Sequence, residues 1–223
     1  MRMPVVAMAL VAGGLAHAQA LRPLSPDQPT KASSPGTVDA GHFQVEATPA
    51  DWIAGQGTAI GATTLKYGVT DFADVEVAVA PCAVAWGCPW GGAAVRAKVA
   101  LLPEDGALTA AVIPGVIVNP GGLVQGTLAA PLAYRINSTV GLDATATVIG
   151  PSEATFQFAA GANIALSQSV TFSIEGWVST GWVRGETGDI ALAWQPTAND
   201  QWSIGGNFGV PTAEVYFGYV RRF

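Results

Sequence analysis

From Gly41 to the end of the chain, apolar side chains recur at every second position, and no segment carries a helical period. A period of two admits strands, whose side chains alternate between faces, and little else. Twelve strand-like runs stand out, at 41–48, 58–67, 72–80, 93–102, 107–118, 123–135, 139–149, 154–166, 170–180, 187–195, 201–209 and 212–223. A globular strand is about five or six residues long. These runs cluster near the roughly ten residues that a tilted strand needs to cross a bilayer.

The two faces of the runs differ in kind. In the third run Val75, Val77 and Val79 oppose Asp74 and Glu76; in the fourth Val95, Val99 and Leu101 oppose Arg96 and Lys98. The ninth sets Val170, Phe172, Ile174 and Val178 against Ser173 and Glu175. Carried along the chain, the polar face collects Glu46, Lys66, Asp74, Glu76, Arg96, Lys98, Arg135, Asp143, Glu175, Asp189, Glu214 and Arg222. The apolar face collects only Arg221, near the chain end, where a long side chain snorkels to the interface. A charge facing lipid costs up to about 2–4 kcal/mol at mid-bilayer, which accounts for that segregation.

Composition separates a membrane barrel from a soluble sandwich, which also alternates. Half of the residues are hydrophobic and only 12% are charged, against roughly 25% charged in ordinary soluble domains. Yet no stretch after residue 20 approaches the 18 or so apolar residues of a membrane helix. Apart from its few charges of both signs, the polar face is Ala, Gly, Ser, Thr, Gln and Asn, which suits a confined aqueous lumen. The reading is all-β: a 12-stranded antiparallel transmembrane barrel over 41–223, closed between the first and last runs. Short polar turns in LKYGVTDFADVEV, LAYRINSTVGLDA, ANIALSQSVTFSIEG and LAWQPTANDQWSIGG all fall at one end of such a barrel. The longer DWIAGQG and PCAVAWGCPWGG segments fall at the other. Short turns on one side and longer loops on the other place the short side, with both termini, in the periplasm. Pro114 and Pro131 sit inside runs and mark a bulge or a bend.

Residues 1–20 read as a secretory signal: Met1-Arg2, an apolar core over Pro4–Leu15, and small-x-small sites at Ala16-His17-Ala18 and Ala18-Gln19-Ala20. Residues 21–40, LRPLSPDQPTKASSPGTVDA, hold four prolines and no period. Two readings stand for them. They hang in the periplasm, or they fold back into the lumen with Asp27, Lys31 or Asp39 pairing with Arg96, Lys98 and Glu76. A three-residue turn between the second and third runs would set Lys66 opposite Asp74, and Glu76 would fall near Lys98. Twelve strands at a tilt of about 40° imply a backbone diameter of roughly 24 Å, with space inside unless something fills it.

In an exported chain Cys82 and Cys88, six residues apart, read as a local disulfide rather than a metal site. The chain after residue 20 has one histidine, His42, and no nucleophile motif, metal-ligand spacing or phosphate loop. No cofactor is implied. The sixteen acidic residues outnumber ten basic ones, no Lys/Arg cluster occurs, and nucleic acid is excluded as a partner. Three functions remain: a channel for small solutes, a structural barrel with an occluded lumen, and, least supported, an outer-membrane enzyme. The near balance of inward acids and bases implies weak ion selectivity.

GTVDAGHFQVEA after a Pro/Ser-rich lead-in, LKYGVTDFADVEV, FSIEGWVSTG and the closing PTANDQWSIGGNFGVPTAEVYFGYVRRF together resemble the outer-membrane transporter family known as the putative meta-pathway of phenol degradation proteins. The resemblance spans 22–223. It implies a monomeric barrel in the bacterial outer membrane that passes small, often aromatic or weakly polar solutes, by passive or facilitated diffusion. The family's Thr-Asp-Arg-Pro lead-in is here Pro26-Asp27-Gln28-Pro29, without the arginine, and its Tyr-Arg-Phe ending is Arg221-Arg222-Phe223. The inward charges Glu46 to Glu214 are the candidate solute pathway. Val215, Phe217, Tyr219 and Phe223 share one face of the last run and resemble the signal read by the barrel-assembly machinery. Aromatic residues near strand ends, among them Tyr67, Tyr134, Trp194, Trp202 and Tyr219, form a candidate interfacial girdle.

Overall fold

The computed structural model describes residues 21–27, 32–54, 57–59, 61–79, 92–119, 121–150, 154–180, 185–209 and 213–223. The signal segment and both cysteines lie outside them. Alternation does what its period requires: every described element from Phe43 onward is a strand. They are β1 (Phe43–Ile53), β2 (Gly57–Ala59), β3 (Thr63–Thr70), β4 (Ala73–Val79), β5 (Ala93–Ala100), β6 (Leu108–Val118) and β7 (Val124–Arg135). There follow β8 (Val140–Gly150), β9 (Thr155–Ala165), β10 (Val170–Ser179), β11 (Gly185–Thr197), β12 (Asp200–Gly209) and β13 (Ala213–Arg222).

Apart from β2 and β3, which both pair with β1, each strand pairs antiparallel with its sequence neighbour, and β13 pairs with β1, so the sheet closes without an edge. Closure satisfies every backbone ladder in a solvent that offers no hydrogen bonds. β2 and β3 both pair with β1 and together form one stave, giving a 12-strand barrel. At the seam Phe43 and Phe223 exchange backbone hydrogen bonds of 3.2 and 2.8 Å. Both termini of the barrel therefore lie at one end, here called the terminal end, which also carries the turns after β3, β5, β7, β9 and β11.

Three sequence expectations are corrected. Asp51, Trp52 and Ile53 are strand rather than loop: β1 runs on past a bulge between Ala47 and Ala50 and pairs with Glu214–Phe217. Lys66 lies opposite Glu76, not Asp74, because β3 runs on to Thr70 and turns over only Asp71 and Phe72, with a one-residue shift in the ladder between Gly68 and Thr70. Glu76 in turn faces Arg96, and Lys98 faces Asp74. Of the bulge or bend read at the prolines, the bulge is absent. The β6–β7 ladder lacks only the pairs between Ala110↔Leu132 and Ile113↔Ala129, beside Pro131, and the β5–β6 ladder lacks those between Arg96↔Gly115 and Val99↔Val112, beside Pro114. Each proline removes one donor, and the strands run on in phase.

The outer surface is a belt of Leu65, Val77, Leu128, Phe156, Ile174, Ile190 and Ile204, each more than two-fifths exposed. Near the terminal end Phe43 packs on Tyr67 at 4.6 Å, and Trp202 on Tyr219 at 4.2 Å. Polar and charged residues make up most of the buried interior, the inversion expected of a barrel in lipid.

Candidate functional site

The lumen is built from alternate side chains of every strand, so the residues that read as polar-face in sequence are the ones buried within. Glu46, Lys66, Asp74, Glu76, Lys98, Glu175 and Asp189 are each at most 4% exposed. They do not form a uniform lining. The charges concentrate on the wall β1–β5, and residues 21–27 and 32–40 lie against them.

Asp27 is the centre of that contact. Its carboxylate accepts from Lys66 Nζ at 2.7 Å and Lys98 Nζ at 2.8 Å. Lys66 also meets Glu46 at 2.5 Å, and Gln44 donates to Glu46 at 2.9 Å. Glu76 lies 2.9 Å from Arg96, 3.4 Å from Lys98 and 3.6 Å from Lys66. Neither Glu76 oxygen has a hydrogen-bond partner among the described residues, so charge rather than aligned donors holds it. Backbone groups complete the seat: Asp27 N–H donates to Glu46, Ser34 N–H to Asp27, and Val38 N–H to Asp74. Burial pushes the Asp27 carboxyl up, but Lys66 and Lys98, with Arg96 behind them, outweigh it and hold the group far below the usual carboxylate range.

The segment also reaches across the lumen. Ala32 N–H donates to Glu175 Oε2 of β10 at 2.7 Å, and Thr145 of β8 donates to Ser33 O at 3.4 Å. It leaves as it came. Arg22 and Asp39 pair at 2.7 Å near the terminal end. Arg22 also meets Glu104 at 2.9 Å and donates to Asp71 O at 2.7 Å. Asp39 accepts from Arg222 of β13 at 2.7 Å. Arg22 is partly buried, yet Asp39 and Glu104 raise it above its ordinary value. Ala40 bridges to Gly68, and a Cβ there would lie 2.1 Å from Asp39 O, so only glycine lets the segment pass that close. A cavity of about 440 Å³ remains between Pro23, Leu24, Pro35 and the β6–β7 wall at Thr109, Ala133 and Arg135.

The other sequence-singled residues are placed as follows. Asp189 accepts from Tyr216 Oη at 3.0 Å, Glu214 accepts from Asn207 at 2.8 Å, and Asp143 is inward with one oxygen unpartnered among the described residues. Arg135 stands at the rim and donates to the carbonyls of Asp105 and Gly106. His42 stands just before β1, half-buried at the terminal end, with Nδ1 3.1 Å from Ala40 O. Val215, Phe217 and Phe223 face outward; Tyr219 Oη donates to Asp200 at 3.0 Å. Sequence reasoning missed Arg22 and Glu104, which flank proline in irregular segments where no period marks a face. It also missed Tyr216, an aromatic on the inward face. No group of three or more metal-ligating side chains occurs among the described residues.

A closed barrel of twelve staves with an apolar belt, polar interior and short turns on the terminal side is decisive for architecture. The fold is that of an outer-membrane porin. KdgM porin in complex with disordered oligogalacturonate matches with a TM-score of 0.65 at 7% identity, over 82% of this chain and 99% of that one. NanC porin gives 0.61 at 8% identity, over 80% and 98%. The COG4313 outer membrane channel from Pseudomonas putida F1 gives 0.61 at 11% identity, over 84% and 97%. The chain matches no protein-family model and no curated protein. The belt and the barrel together make it an outer-membrane protein.

Proposed function

We propose that the protein is an outer-membrane channel through which small solutes diffuse, with residues 21–40 acting as a resident plug that narrows the lumen from the periplasmic side. The observation that carries this is the seat of Asp27 between two lysines that are essentially inaccessible to solvent. An unattached tail has no reason to leave water for that place, since ordering it costs conformational entropy. The porin fold and the remaining cavity beside β6 and β7 support a path around the plug. The resemblance to the phenol-degradation family favours small aromatic or weakly polar solutes as cargo. In this reading no catalytic step is needed, and the protein is not an enzyme. Outward Val215, Phe217, Tyr219 and Phe223 serve recognition by the barrel-assembly machinery, and a Cys82–Cys88 disulfide ties the longest outer loop.

Liposome swelling with a panel of neutral and charged solutes tests the channel. Faster entry of small weakly polar solutes than through protein-free vesicles is expected; no entry for any solute favours the second reading, a structural barrel with an occluded lumen, which the buried ion pairs of the plug also support. Thiol labelling without reductant should leave both cysteines unmodified, and rapid labelling of both removes the disulfide.

A further inference from the structure

Inward side chains of neighbouring strands form rows around the wall, and two adjacent rows differ in charge. One passes through Asp143, Gly161, Glu175 and Asp189, which are cross-strand partners in succession. The next, one dipeptide farther from the terminal end, passes through Thr145, Ala159, Trp177 and Thr187 and carries no charge. Ala159 sits between Thr145 and Trp177, so the wall is indented where the small side chain is flanked by larger ones. The recess has a volume of about 230 Å³ and is lined by Thr145, Thr147, Gln157, Phe158, Ala159 and Trp177. A cavity of about 150 Å³ already holds benzene, so this one admits a single ring with substituents.

Its polar groups are a neutral set: two hydroxyls, an amide and an indole N–H. Trp177 Nε1 is shielded from solvent and has no hydrogen-bond partner among the described residues. A buried donor left without an acceptor is rare in folded proteins and marks a place where one is supplied from outside. The indole also offers an apolar face, while Asp143 and Glu175, one row below, disfavour an anion. We propose that this recess binds a neutral, single-ring solute bearing a hydroxyl or carbonyl oxygen, which accepts from Trp177 Nε1–H. The inference rests on the channel reading, for which it supplies a class of cargo and a stopping point beside the plug, since Thr145 also reaches Ser33.

The full chain, labelled with 15N-tryptophan in detergent micelles, tests it. Glucose and benzyl alcohol serve as neutral rings of two sources, glucuronate and benzoate as their charged counterparts. The indole N–H signal absent from Trp177→Phe is the one to follow. It should shift with at least one neutral ring, and which one names the source; the charged counterparts should bind at least about tenfold more weakly. By saturation-transfer NMR, Trp177→Phe should lose about tenfold in affinity, the order of one hydrogen bond, while keeping the heat-modified gel shift of a folded barrel. A signal unmoved by both neutral rings, equal response to the carboxylates, or undiminished binding by folded Trp177→Phe overturns the site. Liposome swelling on the same solutes separates the two ideas. Binding without flux removes the channel and leaves the recess, whereas flux without binding does the reverse.

Discussion

The wall β1–β5 and the wall β6–β13 obey one rule, polar in and apolar out, and reach opposite interiors. On the first, Glu46, Lys66, Asp74, Glu76, Arg96 and Lys98 crowd together, and the chain's own Asp27 completes their pairing. On the second, inward positions such as Ala111, Ala129, Ala159, Ser173, Ala191 and Ser203 are small, and the cavities at Thr109–Arg135 and Trp177 remain. Paired charge draws a segment into the barrel; small neutral side chains leave room for a visitor. Alternation alone decides which side chains point inward, and their size and charge decide what the interior holds.

Removing residues 21–38 should abolish the contrast. Single-channel conductance is expected to rise several-fold with the barrel still heat-resistant on gels, and an unchanged conductance would mean that the segment contributes nothing to the barrier. Asp27→Ala breaks a buried ionic cluster at its centre, which typically costs about 3–5 kcal/mol; the segment should become sensitive to added protease while the barrel does not. Gly68→Ala acts on the same half by sterics, since its Cβ would lie 2.1 Å from Asp39 O and 2.5 Å from Val38 O. The return of the segment must shift, whereas Gly176→Ala, with nothing within 4 Å, should stay within about 0.5 kcal/mol of the parent in urea unfolding.

The other half should prove more forgiving. Gly205→Ala sets a Cβ 2.3 Å from Tyr216 Oη and 2.9 Å from Ile190 O; overpacking of this kind costs about 1–3 kcal/mol, and the ring yields only by giving up its bond to Asp189. Conductance should scarcely change. The smallest effect concerns pH. The native carboxyl of Asp27 titrates below its unfolded value of about 3.9, so its contribution is complete above that value and fades only as pH falls through the lower native one. Lys66 of β3, Lys98 and Arg96 of β5 and Glu46 of β1 face it. Protease protection that depends on Asp27, read as the difference from Asp27→Asn, should hold constant from pH 7 to pH 4; loss of that difference near pH 5 would break the assignment.

Much of the architecture was legible because a lipid-facing strand has no freedom in its pattern: Val75 and Val77 against Asp74 and Glu76 fix the face of β4 without knowledge of its neighbours. Register was less so. A three-residue turn would match Lys66 to Asp74, whereas the two-residue turn at Asp71–Phe72 and the irregularity at Gly68–Thr70 are written in no local pattern. The site was legible by residue type and not by place. Asp27 is one acid in a proline-rich stretch, and its role exists only once β3 and β5 bring two lysines to the same point. Trp177 reads as an ordinary strand aromatic until Ala159 is found beside it.

Arg222 has a consequence for assembly. Its guanidinium holds Asp39 and the carbonyl of Arg22 together, 2.7 and 2.8 Å away, and it stands on the last strand, whose pairing with β1 closes the barrel. The segment ahead of the first strand therefore lacks its final anchor until the last strand is in place. Sealing the cylinder and latching its occupant are one event, and a chain still open at the β1–β13 seam has not yet fastened the segment that lies within it.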